Sequence, residues 1–280
     1  MPSATLLNSL QRGLQVLEAF TPSFPRMRLH EVVNRTGLPK VTVLRFLRTL
    51  TALRYISYDS ESRLYSLSPR VMSLGYTALS AMDAREAAIP FLEQLSEATG
   101  QNVNLGVLDG LEIVYVERIK KKQILNIDLQ VGSRLSVYNS SIGQVILAFM
   151  DREQRRRIVT ELLHNPEIAA VAGTRGELLY KKLDDVRARG YALNDESYVA
   201  GLRAIGAPVF DHKGVVDAGI NIPVFAHMVS RNDLLQKYLP PLLETARRVS
   251  AARGFVKTAT AGPRSEEECR KHVAECCRPK

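Results

Sequence analysis

Residues Leu29 to Leu53 read L-H-E-V-V-N-R-T-G-L-P-K-V-T-V-L-R-F-L-R-T-L-T-A-L. Leu29, Val32 and Val33 form a short helical pattern that stops at Gly37, and Val41, Leu44, Leu47 and Leu50 follow as the buried face of a second helix. Gly37 suits a left-handed turn residue that ends the first helix at little cost. Pro39 stands where the second helix opens, a place where a missing N–H is harmless. Two short helices joined by a glycine-containing turn make a helix-turn-helix. Lys40, Thr42, Arg45 and Arg48 occupy the outward side of the second helix, and such side chains reach phosphates and base edges. Two amphipathic helices with a solvated basic face would give the same local pattern, so the flanks decide.

After the second helix, R-Y-I-S-Y (54–58) and R-L-Y-S-L (63–67) alternate around the polar turn D-S-E-S, which predicts a β-hairpin. Before the first, Leu10, Leu14, Leu17 and Phe20 recur through Ser9–Phe20 as a scaffold helix. Helix, helix-turn-helix and hairpin together are a winged helix-turn-helix. The residues expected to meet DNA are Lys40, Thr42, Val43, Arg45 and Arg48 on the second helix and Arg63 on the wing.

Charge supports a polyanion partner. The chain of 280 residues carries a formal net charge of +9. Residues 1–82 hold ten Lys/Arg against four Asp/Glu, a net of +6 in under a third of the length. The length suits two domains, and no run approaches the ~18 apolar residues of a membrane helix. The N-terminus lacks the apolar core of a secretory signal. All three cysteines (Cys269, Cys276, Cys277) fall in the last dozen residues, which argues against a disulfide framework and fits a reducing, cytoplasmic setting.

Four segments follow: a winged domain over 1–68, a linker helix over 69–82, a second domain over 83–256 and a disordered tail over 257–280, with residues 1–7 also read as disordered. The linker has small residues (Gly75, Ala78, Ala81) that would let another helix approach, or it is a plain connector. The second domain begins with a helix over Ala84–Thr99. Strands follow at Asn102–Leu108, Ile113–Arg118 and Ile124–Val131, the first two joined by an Asp109-Gly110 turn. Helices are expected at Ile142–Met150, Arg152–Leu163 and Glu177–Arg189. Strands then return at Tyr191–Leu193, Arg203–Phe210 and Val215–Ile222, and a long helix over Asp233–Arg253 is kinked at Pro240-Pro241. Hairpin strands flanked by helices make an α+β domain on an antiparallel sheet. In the tail, Cys269, His272 and Cys276 could share a helical face, but nothing nearby completes a four-ligand metal site.

The order R-G-L-Q-V-L-E-A-F, T-G-L-P-K-V-T-V-L-R-F-L-R-T-L, then a wing, resembles the N-terminal half of the IclR-type bacterial transcription regulators. V-G-S-R-L-S-V-Y-N-S-S-I-G-Q-V-I-L-A-F is similar to that family's loop-helix around its effector pocket. N-D-E-S-Y-V-A-G-L-R-A-I-G-A-P-V-F-D-H-K-G-V-V-D-A-G-I-N-I resembles its signature segment. The likeness covers residues 9 to about 255 and looks most like the branch that regulates aromatic-acid catabolism through the β-ketoadipate pathway. Val41 departs from it, standing where the family often has Ser; the cysteine-containing tail lies outside its pattern.

The resemblance implies a GAF-like effector domain, a dimer or tetramer, and operator binding modulated by a small organic acid, without a cofactor. It places the pocket at Asn139, Ser140, Ser141 and Gly143, with Asp195, Ala204 and Asn221 from the signature segment. The residues themselves allow two readings of the loop: a helix N-terminus that binds a carboxylate, or Ser140 or Ser141 serving as an N-cap. Asp195 and Glu196 could in principle form an acid/base pair; a polar lining for Asp195 and a structural role for Glu196 fit better. Leu105, Val107 and Ile220 are expected as apolar walls. An aromatic acid such as protocatechuate or 4-hydroxybenzoate is the expected effector, a short aliphatic acid of the glyoxylate type the alternative.

An enzyme is the competing class. The sequence has no Walker loop, G-x-G-x-x-G, G-x-S-x-G or H-E-x-x-H, and its five histidines are scattered away from any nucleophile. A winged module that binds only protein is the third class, and it would lack the steep salt dependence of a DNA complex.

Overall fold

The computed structural model describes residues 7–121, 129–173, 175–196 and 199–256. Most of the third strand expected over Ile124–Val131, the 257–280 tail with its cysteines, and residues 1–6 of the expected N-terminal disorder lie outside them. The chain divides after Ala81 into two compact units.

The N-terminal unit comprises α1 (Asn8–Glu18), β1 (Arg26–Met27), α2 (Leu29–Thr36), α3 (Lys40–Ala52), β2 (Ile56–Asp59), β3 (Leu64–Leu67) and α4 (Arg70–Ser80). Gly37 takes φ 66° and its N–H donates to Val33 O, ending α2 as its residue type suggested. β1, β3 and β2 form an antiparallel sheet in that order. The core comes from Val16, Phe20, Met27, Val32, Val43, Leu47, Leu50 and Ile56.

Two helical phases differ from expectation. The buried face of α3 is Val43, Leu47 and Leu50, while Val41 is 71 % exposed. The cause is geometric: a strict i+3 series drifts by about 60° per step, so Val41 and Leu50 end on opposite sides, whereas 43, 47 and 50 stay together. Val43 is therefore a core residue and not a DNA contact, which corrects that assignment. In α1 the buried residue is Val16, and Leu10 and Leu14 face outward. No side chain of α4 is buried; Met72 and Tyr76 are 75 % and 72 % exposed.

The C-terminal unit comprises α5 (Asp83–Thr99), β4 (Val103–Asp109), β5 (Glu112–Ile119), β6 (Arg134–Ser136), α6 (Ser141–Phe149), α7 (Arg152–Leu162), α8 (Pro166–Ala172), α9 (Glu177–Arg189), β7 (Ala192–Asp195), β8 (Leu202–Phe210), β9 (Val216–Phe225), α10 (Arg231–Asp233), a π-helical turn (Leu234–Tyr238) and α11 (Leu239–Ala252). Its antiparallel sheet has the order β6-β5-β4-β9-β8-β7. α5 and α11 pack together and on the sheet, α6 packs on β8 and β9, and α9 packs on α6. Pro240 and Pro241 sit in the first turn of α11, where proline is tolerated, so the expected kink is a π-helical turn just upstream.

Close approach of α6 to the sheet depends on glycine. A Cβ on Gly143 would lie 2.1 Å from Val137 O, and one on Gly206 would lie 2.8 Å from the Ser141 backbone. α6 is buried nearly all round because the sheet covers one side and α9 another. Ile142, Val145, Ile146 and Leu147 join Ile113, Leu179, Leu183 and Val186 in the core.

Candidate functional site

The winged unit presents a cationic surface. The face of α3 opposite its core carries Val41, Arg45 and Arg48, with Lys40 in the first turn and Thr42 half-buried at the side. A groove between α3 and the wing is lined by Arg28, Lys40, Leu44, Arg48, Tyr58, Glu61 and Arg63. The hairpin holds its shape by local bonds: Asp59 accepts from the Ser62 hydroxyl at 2.6 Å and from the Glu61 N–H at 3.0 Å. Those bonds, the Ser62 hydroxyl first, keep the Asp59 carboxyl below its ordinary range. Tyr58 and Tyr65 pack across the hairpin with ring centres 4.6 Å apart. Arg63 follows the turn with φ 58°, a conformation uncommon for a residue with a Cβ. Among the described residues every ion pair found belongs to the C-terminal unit, which leaves the groove's positive charge uncompensated by salt bridges.

The second candidate site lies on the sheet face under the N-terminus of α6. Ser140 is the N-cap of that helix and accepts from the Gly143 N–H. Ser141, one residue on, is buried, and its Oγ accepts from Asn221 Nδ2 at 3.2 Å. Asn104 Nδ2 donates to Asn221 Oδ1 at 2.8 Å, and Asn221 Nδ2 also lies 3.5 Å from the Tyr115 hydroxyl. Gln144 donates to Tyr138 O at 3.0 Å, fixing the loop before the helix. Asn194 on β7 donates to Asn139 O.

Register explains why these groups meet. Gly206, Asn221, Asn104 and Arg118 are successive cross-strand partners on β8, β9, β4 and β5. Cross-strand partners share a face, and Gly206 faces Ser141, so the whole row faces α6. A register shift between Leu105 and Gly106 pairs Leu105 with Glu117 but Gly106 with Tyr115. That bulge puts Tyr115 and Arg118 on one face despite their odd spacing. Glu117 points the other way and meets Arg85 of α5 at 2.8 Å.

Of the residues expected at the pocket, Ser141, Ala204 and Asn221 share the α6 face, Asn139 offers its carbonyl to Asn194, and Ser140 and Gly143 form the helix cap. Asp195 does not join them. It pairs with Arg203 and borders a cleft with Lys181, Lys182, Arg189 and Arg231; its neighbour Asn194 takes the inward place. Burial, and then the nearby Arg189 charge, lowers the Lys182 pKa from its ordinary value. Leu105, Val107 and Ile220 have the opposite parity from Asn104, Gly106 and Asn221, so they face the α5 side and are not walls of this site. Asn104, Tyr115, Arg118, Gln144 and Asn194 were not anticipated. Asn104 carried one sign, a lone amide between Val103 and Leu105 in an otherwise apolar strand.

Among the described residues no group of three or more His, Cys, Asp or Glu could hold a metal ion, and no helix is long and apolar enough to cross a membrane.

Comparison with known proteins agrees with both halves. Residues 9–60 match the IclR helix-turn-helix domain, and residues 76–251 match the bacterial transcriptional regulator IclR C-terminal domain. The chain is 33 % identical over 251 residues to the Pca regulon regulatory protein of Pseudomonas putida, covering 86 % of this chain and 82 % of that one. It is 35 % identical over 225 residues to the transcriptional regulator KdgR of Escherichia coli, covering 80 % and 85 %. Among solved structures, an IclR family transcriptional regulator from Brucella abortus aligns with a TM-score of 0.73 at 29 % identity, over 89 % of this chain and 93 % of that one. An IclR homolog from Microbacterium hydrocarbonoxydans, solved in complex with 4-hydroxybenzoate, aligns with a TM-score of 0.72 over 88 % and 99 % at 22 % identity, a likeness of fold alone. A winged unit with an uncompensated basic face, a sheet domain with a buried polar cluster, and matches across both make one statement: the chain belongs to the IclR family and is a transcriptional regulator.

Proposed function

We propose that this regulator binds an operator through α3 and the wing and controls a catabolic operon in response to a small carboxylic acid, of which an aromatic acid is the best fit. The observation that carries the effector half is the buried Asn104–Asn221–Ser141 network under the N-terminus of α6. Buried amides and hydroxyls are expensive unless they are paired or serve a ligand. A helix N-terminus favours a carboxylate beside them. The likeness to the Pca regulon regulatory protein, and the 4-hydroxybenzoate held by the Microbacterium protein of the same fold, support the aromatic choice.

For DNA we assign Arg45 and Arg48 to the major groove, Lys40 and Thr42 to the helix entry and Arg63 to an adjacent backbone. The exposed apolar side chains of α4 and of the first turns of α1 support a homo-oligomer, at least a dimer, on an inverted repeat. A DNA partner implies action in the cytoplasm.

The test is a gel shift of genomic fragments across a salt series, with and without added acid. Specific retention that weakens steeply with salt and shifts with an aromatic acid is the expected result. Retention indifferent to every acid would sink the effector half. An acid acts only through unequal affinity for two conformations of the protein, so melting curves with the same acids test binding apart from DNA.

A further inference from the structure

The polar row on the α6 face ends in a charge that has no counter-charge among the described residues. Arg118 stands on β5 directly across from Asn104. Its Nε and Nη1 are sealed from solvent and have no hydrogen-bond partner among the described residues. Glu117, its neighbour in sequence, is turned to the other side of the sheet, where it meets Arg85 and the Arg118 backbone N–H. Burial disfavours the charged form of Arg118, and the Tyr115 hydroxyl is the group that acts against that. A guanidinium nonetheless keeps its proton in proteins. A guanidinium with two nitrogens sealed from water and no anion beside it among the described residues is unfavourable, and the usual resolution is a paired carboxylate or phosphate.

The surroundings say which kind of anion. Among the described residues, Asn104, fully buried, donates to Asn221 and leaves Oδ1 without a partner, and Gln144, almost as buried in the first turn of α6, leaves Oε1 without one. Unfilled donors and acceptors on one sheet face, beside a helix N-terminus, make a place for a small molecule with one anionic end and polar substituents. Phosphate would need several donors converging on it, and here one cation stands beside amides.

We propose that Arg118 anchors the carboxylate of the effector, with the α6 N-terminus and the Asn221–Ser141 pair orienting the rest of the molecule. The inference rests on the reading of this unit as an acid sensor, and it moves the anchoring charge from the neutral loop donors to the sheet. It also assigns Arg118 a cost in the empty protein: the guanidinium is kept for the ligand at the expense of stability.

The test uses the full chain, melting curves and operator gel shifts. The probes are benzoate, 4-hydroxybenzoate, 3,4-dihydroxybenzoate, pyruvate and glyoxylate, with 4-hydroxybenzamide as the neutral mimic. Wild type should be stabilised by at least one acid and not by the amide. Arg118→Gln should need at least about tenfold more acid for the same shift, the value of a hydrogen bond to a charged group, and Arg118→Lys should fall between. Without acid, Arg118→Met should melt at or above the wild-type temperature and still retain the operator. A sharp fall in the acid-free melting temperature of Arg118→Met and Arg118→Lys alike would show a structural arginine and overturn the proposal. So would an unchanged acid response in Arg118→Gln, although the acid-sensor reading would then survive. No response of wild type to any of the acids would remove that reading and the anchor with it.

Discussion

Asn104 and Asn221 stand 117 residues apart in sequence, face each other on adjacent strands, and join through a 2.8 Å side-chain hydrogen bond in a buried part of the sheet. Through Ser141 the pair ties the sheet to the first turn of α6. Asn221→Ala leaves the Asn104 amide without its acceptor and Ser141 without its donor, at about 1–3 kcal/mol for each group stranded. Adding Asn104→Ala to it should cost less than the two single losses together, since both halves of one bond are then gone. A double-mutant cycle in urea checks this; strictly additive costs would mean that the two amides are not coupled.

α6 is pressed so close to the loop before it that Gly143 has no room for a methyl group. Gly143→Ala forces the Val137 carbonyl or the helix to move, an overpacking cost of about 1–3 kcal/mol. Thermal melts should show that loss together with a weaker acid response, because Ser140 and Ser141 move with the helix. A variant as stable as wild type would show that the loop yields easily.

Val43 and Arg45 are two residues apart on α3 and separate stability from recognition. Val43→Ala, in the core, should lower the melting temperature of the winged unit by removing about 1.5–3 kcal/mol of apolar burial. Arg45→Ala should leave the melting temperature alone and cost about 1–3 kcal/mol of discrimination for the operator. Arg63→Ala should weaken all DNA alike and flatten the salt dependence by about one unit of log–log slope. Unchanged operator affinity in a folded Arg45→Ala protein would assign the reading to another element.

Most of the architecture was legible because it rests on local chemistry. Gly37 and Gly110 stop or turn the chain, Asp109-Gly110 makes the β4–β5 hairpin, and the Glu177–Arg189 helix runs between its expected ends. Facing was harder to read. In α3 the residues 41, 44, 47 and 50 look as apolar as 43, 47 and 50, and only the radial spread decides between them. In the sheet, the Leu105/Gly106 bulge reverses the parity of half of β5, and no residue there announces it. That is why Tyr115 and Arg118 were missed; Leu105, Val107 and Ile220 were expected on the wrong side because helices cover both faces of β4 and β9, so apolar character there does not tell one face from the other. β1 and β6 are too short for alternation to show.

Val41 stands on the exposed face of α3 in its first turn, one turn before Arg45. A valine there cannot donate to a base, but it can press against the methyl group of thymine, as apolar side chains do in the major groove. Val41→Ser should therefore change the preferred base at one position of each half-site while leaving non-specific affinity intact. Replacing that thymine by uracil should weaken the wild type and not the variant. Equal sensitivity of both proteins to the uracil operator would mean that Val41 touches no base.

α4 has no buried side chain, yet Met72, Leu74 and Tyr76 project from it, and Gly75 has open space where a methyl group would go. A helix with that composition is poorly satisfied in a monomer. If α4 served only as a connector, Gly75→Ala would gain helix propensity and stabilise the chain by up to about 1 kcal/mol. If, as proposed, a second α4 or another helix of a partner copy packs there, the added methyl group holds the backbones apart, and Tyr76→Arg adds a charge to an apolar contact. Both substitutions should then shift sedimentation at micromolar concentration toward the monomer and shorten the protected DNA to one half-site. Gly75→Ala stabilising the chain, with the assembly unchanged in both variants, would return α4 to the role of a plain connector.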